Sequence, residues 1–108
     1  MDQTAQRLCN MKAAMVRAVA HPLRLAIVEY LSGGEQCVCD IAARVGAERS
    51  NVSRHLALML KAGVVECRKH GLKVMYSLKT PCIAKFLRCV SEALRERLEA
   101  EQAVLRRL

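Results

Sequence analysis

Residues 37–63 read CVCDIAARVGAERSNVSRHLALMLKAG, and the placing of apolar residues and glycines along this stretch decides the fold. Val38, Ile41, Ala42 and Val45 fall at i, i+3, i+4 and i+7, which is one stripe of a short helix from about 37 to 45. Gly46 stops it, because glycine enters the left-handed conformation that ends a helix without steric cost. After a tight turn at Gly46-Ala47-Glu48, a second helix runs from about Arg49 or Ser50 to Ala62, with Val52, Leu56, Met59 and Leu60 expected in the core and Gly63 as its stop. Two short helices flanking a glycine-containing turn form a helix-turn-helix, here spanning about 37–62.

Outward from this unit the punctuation continues. Leu8, Met11, Met15 and Val19 stand at helical spacing within residues 4–19, and His21-Pro22 separates them from a helix carrying Leu23, Ala26, Ile27 and Leu31, which Ser32-Gly33-Gly34 stops. Downstream, Val64–Arg68 and Val74–Leu78 are β-rich and bracket a turn over Lys69–Lys73, so residues of about 64–78 form a hairpin placed as a wing. From Thr80 to about residue 107, Ile83, Leu87, Val90, Leu94 and Leu98 step along a long last helix, continuing to Leu105 and Leu108. So long an apolar stripe on so small a chain calls for a partner. The expected architecture is mainly α with a small β-hairpin: a single winged helix-turn-helix domain over residues 1–108, homodimeric through its terminal helices.

Composition agrees. The 108 residues are 53% hydrophobic but only 3% aromatic, with no Trp, so the core is made of aliphatic residues that favour helices. Eighteen Lys and Arg against ten Asp and Glu leave a formal charge of +8, which suits a polyanionic partner. Arg17, Arg24 and Glu29 interrupt the apolar stretches short of membrane length, and the N-terminus has no basic leader ahead of an apolar segment; a cytoplasmic chain without membrane contact is expected. Six cysteines in a helical, unexported chain read as free thiols rather than three disulfides.

The outward face of the fourth helix carries Ser50, Asn51, Ser53, Arg54 and Lys61, groups that donate to phosphates or read base edges in a major groove. Between Arg49 and Lys79 there are seven basic residues (among them Arg68, Lys69 and Lys73 of the wing) and one acidic residue, Glu66. This concentration points to double-stranded DNA. His55 sits at the edge of the core stripe, in reach of a structural hydrogen bond or a phosphate. His21 and His70 share no ligand spacing with a second donor.

Cys37-Val38-Cys39-Asp40 is the sharpest chemical feature. Two thiolates in close succession are a half-site for soft ions such as As(III), Sb(III), Cd(II), Pb(II) or Zn(II). On a regular helix, residues i and i+2 point about 200° apart, so the two sulfurs converge only if Cys37 lies before the helix or its first turn distorts. Two small hydrophobes that happen to be cysteine is the alternative. Cys67 lies in a strand and is expected to be a packing residue, while Cys82 and Cys89 share a face of the last helix about 10 Å apart in rise, too far for one intrahelical ion site.

Taken together, Ala20-His21-Pro22-Leu23-Arg24, Glu35–Ala42, Ser50–Leu56, Leu60–Val65 and Tyr76-Ser77-Leu78 resemble the ArsR/SmtB family of metal-responsive winged-helix repressors over most of the chain. The resemblance implies a homodimeric repressor that leaves its operator when a thiophilic metal or metalloid ion binds. Cys37 and Cys39 match the two cysteines of the family's metal-binding box, and Ala42 stands where the arsenic-type box has its third. Cadmium- and lead-type sensors draw further cysteines from the N-terminal segment, which here offers Cys9. The zinc site that other members build on the last helix has Thr80 and Cys82 in its region and no histidine after His70. Some relatives sense persulfide or oxidants through a thiol near the third helix and one on the last, so Cys82, Cys89 and a cysteine near Cys39 form an alternative sensor. No Ser/His/Asp constellation, paired carboxylates or phosphate-binding glycine loop suggests an enzyme. A metal-buffering protein is the remaining class, distinguished by unchanged DNA affinity at saturating metal.

Overall fold

The computed structural model describes all of residues 1–108. Helix α1 (Gln3–Arg17) is capped by Asp2, whose carboxylate accepts from the Ala5 amide at 2.7 Å. Helix α2 (Pro22–Leu31) opens on a proline that needs no amide partner, and the His21 ring caps it by accepting the Leu23 amide through Nδ1 at 3.1 Å. A short strand β1 (Gln36–Cys37) leads directly into α3 (Val38–Val45), which Gly46 ends at φ 68°, and α4 (Arg49–Ala62) ends at Gly63 with φ 82°. Strands β2 (Val65–His70) and β3 (Lys73–Leu78) form the hairpin, and α5 (Cys82–Arg106) closes the chain.

The sheet order is β1-β3-β2, all antiparallel, with Cys37 opposite Met75 and Cys67 opposite Tyr76. Two features differ from the sequence reading. The hairpin strands extend to His70 and Lys73, leaving Gly71 and Leu72 as the turn, because a two-residue turn with glycine at positive φ matches the strand twist and lets pairing continue. The third strand, β1, was not expected: two residues carry no period, and their pairing partner lies far along the chain.

The core is where α2, α3, α4 and the base of the hairpin meet: Ile27, Val28, Leu31, Ile41, Ala42, Val52, Leu56, Met59, Val64 and Val65, with Ala18 and Val19 after α1. Thr80 fastens the underside, its hydroxyl donating to the Gly63 carbonyl at 2.8 Å. Leu60, expected in this core, is exposed; the buried stripe runs through Val52, Leu56 and Met59, and one residue further on points roughly 100° away from Met59. Leu8 and Met11 are also exposed, because only the end of α1, from Met15 onward, reaches the core. Ile83 and Leu87, expected on the outer stripe of the last helix, pack against the protomer's own core where α5 crosses α2. Of its large apolar residues, α5 leaves Phe86, Val90, Leu94 and Leu98 uncovered along its length and Val104 and Leu105 near its end.

With α1 and α5 projecting, the radius of gyration is 17.1 Å, against about 13 Å for a compact chain of this length. The accessible surface is 8035 Å², about 2,000 Å² above that of a compact domain of this mass. No helix is long and apolar enough to cross a membrane.

Candidate nucleic-acid interface and thiol pocket

Helix α4 buries Val52, Leu56 and Met59 and thereby turns Ser50, Ser53, Arg54 and Lys61 to solvent. Asn51 is half-buried at the border, and its Oδ1 accepts from Arg54 Nη2 at 2.9 Å, so Arg54 lies folded along its own helix. His55 is held more firmly. Its Nδ1 accepts from Arg24 Nε at 3.0 Å, and its ring lies 4.6 Å from that of His21, tilted by 43°. Burial, with the adjoining His21, Arg24 and Arg54, pushes its pKa below the ordinary imidazole value. His55 is therefore a structural acceptor, with only Nε2 left for any outside contact.

On the wing, Lys69 and Lys73 are exposed. Arg68 is already engaged: its Nε and Nη2 donate to the two carboxylate oxygens of Glu35 at 2.7 and 2.6 Å. That fork holds the Glu35 carboxyl below the usual carboxylate range, the hydrogen bond from Arg68 being the main cause. Glu35 thus fastens the segment before β1 to β2 and cancels one wing charge. The sequence carries no sign of this pair, since nothing local signals a partner 33 residues away.

All six cysteines are free. Cys37 is the last residue of β1 and sits at the N-cap of α3 in extended backbone, φ −85° and ψ 162°, while Cys39 lies in the first turn. The condition for convergence, the first cysteine standing before the helix, is met. Both line a pocket of about 190 Å³ together with Val38, Arg49, Leu72, Lys73 and Val74. Cys37 is 5% exposed and Cys39 is exposed, so the pocket has an inner and an outer thiol. Arg49 at the start of α4 and Lys73 on the wing bring cations of the basic surface to the same cavity, a feature visible only in three dimensions.

The other cysteines lie apart from this pocket. Cys9 is exposed on α1, with its sulfur 3.8 Å from that of Met1. No group of three or more His, Cys, Asp or Glu side chains gathers in the protomer to hold a metal. Cys67, expected to pack, is exposed, because β2 turns only Val65 to the core. Cys82 and Cys89 are both exposed on α5. A larger cleft of about 620 Å³ between α2 and α3, lined by Tyr30 and Arg44 among others, contains no thiol and no residue of the α4 outer face.

Residues 21–66, from the cap of α2 into β2, match the family described as bacterial regulatory protein, ArsR family. An uncharacterized HTH-type transcriptional regulator of Mycobacterium tuberculosis is 34% identical over 102 residues, 94% of this chain and 90% of that protein. The arsenical resistance operon repressor of Escherichia coli is 37% identical over 95 residues, 87% of this chain and 81% of the repressor. Among solved structures, the homodimeric winged helix-turn-helix DNA-binding domain of a possible ArsR-family regulator from Mycobacterium bovis superposes with a TM-score of 0.81 at 27% identity, covering 93% of each chain.

Proposed function

This chain belongs to the ArsR family of bacterial regulatory proteins, and from that premise we propose that it is a repressor which releases its operator when a thiophilic ion occupies the Cys37/Cys39 pocket. The protein is a DNA-binding transcriptional regulator that works as a homodimer on double-stranded operator DNA. In the dimer a second copy covers Phe86, Val90, Leu94 and Leu98 of α5 together with the exposed Leu8 and Met11 of α1. The excess surface of about 2,000 Å² per protomer exceeds the ~800 Å² that each partner contributes to a standard interface.

Ser50, Asn51, Ser53 and Arg54 are assigned to the major groove, with Arg54 leaving Asn51 for a guanine edge; Lys61, Lys69 and Lys73 are assigned to phosphates, and His55 to holding the helix. Arg68 contributes less than its charge suggests, because Glu35 occupies it.

The observation that carries the regulatory reading is the shared pocket: the two thiols, the first residue of the recognition helix and a wing lysine line one cavity. An ion drawn to both sulfurs acts on α3, on the turn into α4, and through the Cys37–Met75 pairing on the wing. Two thiols fit a soft ion, As(III), Sb(III), Cd(II), Pb(II) or Zn(II), as a half-site. Cys9, exposed on the projecting α1, is the third thiol on which the reading draws, within the protomer or across the dimer. The Escherichia coli relative is named for arsenical resistance, but Ala42 occupies the place of a third box cysteine here.

Titration with Cd(II) of the protein bound to a duplex selected from a random-sequence pool tests this. Coupling of about 1–3 kcal/mol, the usual size between two sites, lowers DNA affinity about 5- to 150-fold. Cys37→Ser/Cys39→Ser abolishes the response and the sulfur-to-metal absorption while leaving metal-free DNA binding intact. Release that persists in this variant but disappears in Cys82→Ser/Cys89→Ser places the sensor on α5 and overturns the assignment.

A further inference from the structure

A second basic feature lies outside the recognition face and the wing. Where the end of α1, the start of α2 and the second half of α4 meet, an open cleft of about 410 Å³ is lined by one cation from each helix, Arg17, Arg24 and Lys61. Its remaining lining is apolar: Ala14, Ala18, Leu58 and Ala62. The protomer forms only two ion pairs, Arg68–Glu35 and Arg97–Glu101, so none of these three cations has a carboxylate partner.

Arg24 is the informative one. It is half-buried, and its hydrogen bonds go to neutral acceptors: Nε donates to His55 Nδ1 at 3.0 Å, and Nη1 lies 3.5 Å from the carbonyl oxygens of Arg17 and Ala18. Neutral acceptors orient a guanidinium without cancelling its charge. A partly desolvated cation with no counter-charge costs stability, whereas the same planar fork, already fixed, is ready for an oxyanion.

We propose that Arg17, Arg24 and Lys61 form a phosphate clamp that extends the DNA interface beyond the α4 face and the wing, with Arg24 as its central donor and His55 as the positioning residue. The occupant is the sugar–phosphate backbone of the duplex read by α4. Three positive charges and no negative one line the cleft, its apolar remainder offers nothing to a base edge, and it is continuous with the reading surface through Lys61 and through the bond from Arg24 to His55, the residue after Arg54. The proposal rests on the DNA-binding reading above and adds Arg17 and Arg24 to it.

The test measures affinity across a salt series for a duplex selected from a random pool by the wild-type protein and for a scrambled duplex, with the intact metal-free dimer. A dimer has two clamps, so Arg24→Gln or Arg17→Gln removes two phosphate contacts and lowers the salt slope by about 1.8. Affinity for both duplexes falls alike and their ratio is unchanged, whereas Arg54→Ala lowers the ratio. His55→Leu, which leaves Arg24 without its acceptor, weakens binding when Arg24 is present and adds little in the Arg24→Gln background, a coupling that general loss of fold does not produce. If Arg24→Gln disturbs folding, Arg17→Gln carries the test, since the protomer uses that residue's backbone carbonyl and not its side chain. A wild-type slope in Arg17→Gln and in a folded Arg24→Gln refutes the clamp while leaving operator recognition standing. A wild-type protein with no preference for any duplex overturns the DNA reading itself.

Discussion

His55 shows how one side chain can answer to three neighbours. Its place 60° from Val52 on the helix wheel puts it at the rim of the core, where it accepts a hydrogen bond from Arg24 and faces His21, Arg24 and Arg54. Every one of these, with burial, disfavours the imidazolium. The folded-state pKa lies below that of the unfolded chain, so the unfolded state binds more protons in the window just under the ordinary value of about 6.5. Stability contributed by neutral His55 is present above that value and lost as pH falls through the depressed one. Denaturant unfolding at fixed protein concentration should therefore show stability declining from pH 7 toward 5, with the decline smaller in His55→Gln, which keeps an acceptor for Arg24 but cannot titrate. An identical decline in the variant would assign the effect to another group. The edge position of His55 was legible in the sequence; Arg24 as its partner was not, because the two are 31 residues apart.

At the scale of elements, the parts written in local periodicity were readable and the parts written in long-range pairing were not. Ile41, Ala42, Val52, Leu56 and Met59 follow the 3.6-residue period, and glycines end both helices of the reading unit, so α3 and α4 could be drawn from residues 37–63 alone. Gly46 carries a definite cost if replaced. It stands at φ 68° with nothing within 4 Å of where a Cβ would be, so the penalty is conformational rather than steric. Gly46→Ala should destabilise the dimer by about 1–2 kcal/mol per protomer and Gly46→Asn by less, as Asn tolerates the left-handed region. Equal stability of Gly46→Ala and wild type in chemical unfolding would contradict the cap. By contrast, β1 has two residues and no pattern, and the Glu35–Arg68 fork joins segments that no spacing rule connects. The stripe expected on the last helix divides along its length rather than around it: Ile83 and Leu87 meet the core where α5 crosses α2, while Val90, Leu94 and Leu98 on the same face lie beyond that crossing and stay uncovered, with Phe86 beside them.

For the molecule as a whole, shape decides. A protomer burying 14 of its 108 residues, with two helices projecting from a small core, is incomplete as a solitary unit. Phe86 and Leu94, 54% and 49% exposed, are the positions to charge, since neither belongs to the protomer core. Phe86→Asp/Leu94→Asp should sediment as a folded monomer at micromolar concentration and lose most of its operator affinity, because each substitution would bury an unpaired charge at the interface. A double variant that stays dimeric would move the interface away from this face of α5. Dimerisation sets two reading helices on one duplex, and the thiol pocket of each protomer touches both its α4 and its wing. The proposed function therefore couples two sites, and coupling is reciprocal. The decisive measurement is Cd(II) affinity of the dimer, free and saturated with the selected duplex, by competition against a chelator. Bound DNA should weaken Cd(II) binding by the same factor, about 5- to 150-fold, by which Cd(II) weakens DNA binding; equal Cd(II) affinity in the two states would contradict the coupling.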